Sequence, residues 1–150
     1  MKKLNKKGFT LIELLAIIVI LAIIAVITVP IILNIIENAR EGAARNSVIG
    51  YGKAVELAYT QYQYEQELPT TPGKNKYYAA TIGNDGKTVS LSLSAATDAA
   101  TLGLVVDFDG DKVVCDGDNT LIDGKVELKN CKVNGNSKYI FNYKSGQATK

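Results

Sequence analysis

Residues 14–36 contain no charge, and only Thr28, Pro30 and Asn34 among them are polar or helix-breaking. Residues 14–33 alone, at a helical rise of 1.5 Å each, reach about 30 Å, the thickness of a bilayer's hydrocarbon core. The run therefore reads as a single membrane-spanning helix. Lys2, Lys3, Lys6 and Lys7 precede it, while Glu37, Arg40, Glu41 and Arg45 follow closely. That placement of basic residues predicts the N-terminus inside and everything after the span outside.

The order of features around the span is unusual. An ordinary secretory signal has a charged leader, an apolar core of about 7 to 15 residues and then a small residue for cleavage. Here the small residue, Gly8, comes before the core, and the core is too long. Cleavage after Gly8 would remove the basic leader and leave the apolar helix on the product. Glycine suits such a site because no side chain obstructs an extended backbone in a protease cleft. Glu13 stands among Ile12, Leu14, Leu15 and Ile17. A carboxylate there must be paired, protonated or kept near the interface. Pairing with a neighbouring subunit's N-terminal ammonium satisfies both charges and fixes axial register; hydration at the membrane boundary is the plainer reading.

The residues Lys7-Gly8-Phe9-Thr10-Leu11-Ile12-Glu13-Leu14-Leu15, continued by an apolar helix with Pro30, resemble the N-terminal signal of type IV pilins and pseudopilins. The likeness covers residues 6–36. It implies cleavage by a prepilin peptidase between Gly8 and Phe9, methylation of the Phe9 amine, an assembly role for Glu13 and a helix kink at Pro30. Ala22 departs from the pattern, since many relatives have glycine there. The resemblance also implies the partners: copies of the chain in a helical filament, minor pilins, an assembly platform protein, a separate motor ATPase, and the membrane for the precursor. It places the precursor in the cytoplasmic membrane and the assembled subunit at the cell surface.

After Pro30 an amphipathic stripe of Ile32, Ile36, Ala39, Ala43, Val48, Tyr51, Val55, Ala58 and Tyr62 asks for a covering surface. One helix is predicted over residues 9–64, bent near Pro30 and ended by Pro69, Pro72 and Gly73. The period then changes to two. Strands are predicted over residues 77–82, 88–94, 102–108, 112–115, 120–122, 125–128 and 138–143. Asn84-Asp85-Gly86, Asp109-Gly110 and Asp123-Gly124 are the turn signals; residues 95–101 form an alanine-rich crossing. The expected fold is α+β, a long N-terminal helix whose C-terminal half packs on a small antiparallel sheet. Four segments follow: a basic leader (1–8), a membrane and filament-core helix (9–33), its amphipathic continuation (34–64) and an extracellular β-rich head (65–150).

Cys115 and Cys131 are the only cysteines and flank Asp123-Gly124 on the side expected to be exported, where disulfides persist. A strict two-residue turn would set Cys131 opposite Asp116, so a bridge needs a bulge or a larger turn; two buried free thiols are the alternative. Asp107, Asp109 and Asp111 invite a calcium reading. Lys112 and Asp118 occupy the positions where an EF-hand loop wants glycine and glutamate, and acidic turn residues are the commoner use. No cofactor is expected.

The chain has no histidine, which excludes imidazole chemistry, and no glycine-rich phosphate loop; an enzyme is not expected. Lys and Arg number 17 against 15 Asp and Glu, so removing the four leader lysines leaves 13 against 15. That balance is not a nucleic-acid footprint, and Tyr51, Tyr59, Tyr62 and Tyr64 read as core and interface contacts. The functional expectation is a structural subunit, the major pilin, of a type IV-like surface filament. The alternatives are a pseudopilin of a secretion or DNA-uptake machine and a membrane-anchored binding module.

Overall fold

The computed structural model describes residues 8–65, 77–93 and 101–150. The leader lysines, the helix-ending signals Pro69, Pro72 and Gly73, and residues 95–100 lie outside the described residues. Helix α1 spans Leu11–Glu65 and runs unbroken through Pro30. Two compact units divide the chain, Met1–Arg40 and Glu41–Lys150.

In the first unit, every large apolar residue from Phe9 to Ile36 is exposed. Among the described residues α1 is the one helix long and apolar enough to cross a membrane. Pro30 offers no N–H to the carbonyl four residues back. One turn away, the Thr28 hydroxyl donates to the Ile24 carbonyl at 2.9 Å. Both side-chain and main-chain polarity are thus held largely inside the helix, as a lipid solvent requires.

In the second unit α1 buries Ala44, Val48, Tyr51, Gly52, Val55, Ala58 and Tyr59. Steps of four and three keep these residues on one face. The sequence stripe placed Ala43 on that face, but Ala43 is exposed and Ala44 is buried. The physical reason is the period: four residues back from Val48 is a helical step and five is not.

Eight antiparallel strands cover this face: β1 (Tyr77–Ile82), β2 (Thr88–Leu93), β3 (Thr101–Val105), β4 (Val113–Cys115), β5 (Asn119–Ile122), β6 (Lys125–Val133), β7 (Asn136–Lys144) and β8 (Gln147–Thr149). Their order is β3-β2-β1-β5-β6-β7-β8, with β4 also on β6. The α+β expectation holds, with the helix packed on an antiparallel sheet. Val48, Tyr51 and Val55 meet Val89, Leu104, Val113, Leu121, Val126, Leu128, Phe141 and Tyr143 in one core. Gly52 lets the Tyr143 ring lie directly against the helix. A Cβ there would lie 2.5 Å from the Tyr143 ring.

Three two-residue turns fold the C-terminal strands back on one another. Asp123-Gly124, Asn134-Gly135 and Ser145-Gly146 all have both residues at positive φ, the arrangement that matches strand twist. Only the first of these was expected. The predicted strand over 125–128 consequently runs on to Val133, and β8 is an addition. Asp109-Gly110, by contrast, is not a hairpin turn. It has no positive φ, and β3 and β4 pair with β2 and β6 rather than with each other. Phe108 explains the difference. Its ring packs edge-on to Tyr51 at 5.7 Å, and Asp111 accepts a hydrogen bond from Ser47 of α1 at 3.1 Å. The loop is thereby fastened to the helix, and β3 ends at Val105 rather than Phe108.

Candidate processing and assembly site

Gly8, Phe9 and Thr10 precede α1 in non-helical, exposed backbone. The Gly8–Phe9 bond is therefore open to a protease without unwinding a helix. Among the described residues nothing lies within 4 Å of a Cβ built on Gly8, so a requirement for glycine there would come from an enzyme cleft.

Thr10 and Glu13 form a capping box. The Thr10 N–H and hydroxyl both donate to Glu13 Oε2 at 2.8 Å, and the Glu13 N–H donates to Thr10 Oγ1 at 3.4 Å. The carboxylate also stands in the first helical turn, where the backbone dipole favours a negative charge. Among the described residues Glu13 Oε1 has no hydrogen-bond partner, so one oxygen holds the helix start and the other is open. The role of Thr10 was legible in the spacing Thr-Leu-Ile-Glu, which is itself a capping signature; sequence reasoning passed over it in favour of Glu13 alone.

In the head, Cys115 and Cys131 are joined, with sulfurs 2.03 Å apart, and both residues are buried. A change of register lets them meet. On β6, β5 pairs Thr120 with Glu127, whereas β4 pairs Cys115 with Cys131; five residues on one side match four on the other. The extra residue is absorbed at residues 116–118. A Cβ on Gly117 would stand 2.5 Å from that of Lys129, which makes glycine the residue that fits. Buried Asn119 holds the irregularity on both sides, accepting from Lys129 N–H at 2.8 Å and donating to the Cys115 carbonyl at 3.1 Å. On its other edge β6 shifts register against β7 between Leu128 and Cys131. Asn130 there has positive φ, and its N–H donates to Asn142 Oδ1.

The acidic loop residues are not gathered. Asp111 accepts from Ser47 through one oxygen and from Asn134 through the other. Among the described residues no group of three or more His, Cys, Asp and Glu side chains is placed to hold a metal ion. Tyr51 and Tyr59 are buried in the core, while Tyr64 is 87% exposed.

Comparison with known families matches residues 3–29 to the prokaryotic N-terminal methylation motif. No curated protein and no solved structure matches the chain. The matched segment contains Gly8, Phe9, Thr10, Glu13 and most of the exposed apolar helix. The motif implies processing by a prepilin peptidase and filament assembly, and the helix behind it suits a membrane-anchored precursor. Residues 3–29 carry the N-terminal signal motif of type IV pilins and pseudopilins, and in that segment the chain is similar to those proteins.

Proposed function

We propose that this chain is the major structural subunit of a type IV-like surface filament. The observation that carries the reading is the methylation motif seated on a helix whose apolar residues are all exposed from Phe9 to Ile36. Lipid covers that surface in the precursor. In a filament, equivalent helices of neighbouring copies cover it, and apolar contact with protein replaces contact with lipid. The heads then lie outside, and heterologous repetition leaves the assembly open-ended. The subunit itself makes and breaks no bonds; the peptidase, platform and motor are separate proteins.

Glu13 supplies register in this scheme. Its free oxygen is the acceptor for the Phe9 ammonium of an adjacent copy, and a misplaced subunit strands two charges in an apolar surround. Glu13→Ala is expected to leave membrane insertion and cleavage intact and to reduce filament yield. Intact mass of sheared filaments should begin at Phe9 with one added methyl group. Filaments absent, or a product retaining Met1, would sink the reading. Membrane-bound cleaved subunit confined to a short periplasm-spanning structure would instead assign the chain to the pseudopilins.

A further inference from the structure

The sheet of the head is open, and its two ends differ. At one end β8 has three residues and lies between Lys144 and Lys150. Short edges flanked by lysine are a common way to discourage strand addition. At the other end β3 has five residues, Thr101-Leu102-Gly103-Leu104-Val105, none of them charged or proline. Over residues 88–106, which include its partner β2, Asp98 is the only charged residue. Among the described residues no strand pairs with the outer edge of β3. Val105 is 78% exposed, and among the described residues nothing lies within 4 Å of a Cβ built on Gly103.

The order of residues along β3 is close to self-complementary. Set antiparallel against a second β3 with Gly103 at the centre, Gly103 stands opposite Gly103, Leu102 opposite Leu104, and Thr101 opposite Val105. Every pair is uncharged in sequence, so no like charges oppose one another across the axis. The glycine at the axis leaves no side chains to collide. Leu104 is buried in its own core, so a slip of one residue would set core-side positions against solvent-side ones.

We infer that β3 is a self-pairing edge, by which the heads of two copies of this chain join into one continuous sheet. Such a contact is twofold and closes on itself, so it cannot be the repeat that lengthens a filament. It joins heads belonging to separate filaments, and so bundles them. The bundling rests on the filament reading; the pairing does not.

The test uses the full chain in detergent, where no filament is needed. Gly103→Cys should give, on mild oxidation, a covalent dimer bridged through the introduced thiols. Gly103→Lys and Gly103→Glu place like charges directly opposite across the axis. Each alone should lower the paired fraction roughly fivefold, and a mixture of the two should restore it. The recovery in the mixture is specific to position 103 facing itself. The proposal is overturned by the absence of a bridged dimer, by a Gly103→Lys chain that pairs like the unsubstituted one, or by a mixture that shows no recovery. In filaments that assemble normally, Gly103→Lys should separate bundles into single fibres without changing yield; lost yield would speak to the filament contact instead.

Discussion

Three glycines of α1 differ in what an added methyl group meets, and replacing each with alanine reads the packing of helix on sheet. Among the described residues a Cβ at Gly42 has nothing within 4 Å; at Gly50 it lies 3.1 Å from the Phe108 ring, and at Gly52 it lies 2.5 Å from the Tyr143 ring. Removing a helical glycine gains about 1 kcal/mol of propensity at every site. Gly42→Ala should keep that gain. At Gly50 the Phe108 ring is only half-buried and can yield a few tenths of an ångström, so gain and strain roughly cancel. At Gly52 the opposing ring belongs to a fully buried residue of β7, and overpacking costs up to about 3 kcal/mol. The net loss is about 2 kcal/mol. For a head of this size that corresponds to a Tm rise of about 4 °C for Gly42→Ala and a fall of about 8 °C for Gly52→Ala. All eight tyrosines lie at or after Tyr51, so near-ultraviolet circular dichroism of the detergent-solubilised chain follows the head alone. A Gly52→Ala protein that melts at or above the unsubstituted temperature would refute the close approach of Gly52 to Tyr143.

Replacing Cys115 and Cys131 together with serine should cost about 3 kcal/mol, from the entropy of the 17-residue loop they close; nonreducing peptide maps of mature protein should show the two peptides joined, and free thiols would contradict the bridge. Tyr51→Phe should raise stability by about 1 kcal/mol, because the Tyr51 hydroxyl is buried without a hydrogen-bond partner among the described residues and the change removes its desolvation cost; a measured loss would reveal a partner. The Asp85 carboxyl is held below its ordinary 3.8 by the N–H groups of Lys87 and then Thr88. Its contribution is therefore complete above the unfolded value and is lost as pH falls through the lower folded one. Protection of the Lys87 and Thr88 amides, taken relative to their intrinsic exchange rates, should fall below about pH 4, and Asp85→Asn should flatten that dependence.

Legibility followed the range of the interaction. The apolar span and the N-terminal motif over residues 3–29 were readable because both are contiguous and local in sequence. In the second unit the helix face was readable to within one residue, since period decides it and Ala43 stands one residue off the four-residue step from Val48. Strands β1 and β2 were read almost to their ends from alternation around Asp85-Gly86. The failures are tertiary. Asp109-Gly110 has the composition of a hairpin turn, yet Phe108 and Asp111 spend that loop on contacts with α1. Asn134-Gly135 and Ser145-Gly146 were available as turn signals and went unused, so β6 was cut short and β8 missed. The need for an extra residue between the cysteines was foreseen. That Gly117 and Asn119 would absorb it, with Asn130 as a second irregularity across β6, depends on which strands flank β6 and was not written locally.

The offset between β4 and β5 gives the bridge a second task. Both strands lie along one edge of β6, but they read it in different frames. Were β4 to adopt the frame of β5, Asp116 would stand opposite Cys131, and Val113 and Cys115 would turn from the core toward water. The two frames differ by a single residue, and hydrogen bonding alone distinguishes them weakly. The bridge admits only one. Without the bridge only noncovalent packing bars a misframed β4 with its carboxylate driven inward; with it, that state is unreachable without breaking a covalent bond. On the filament reading proposed above, export to an oxidising side would act as a proofreading step on the sheet, committing each subunit to a single frame before assembly.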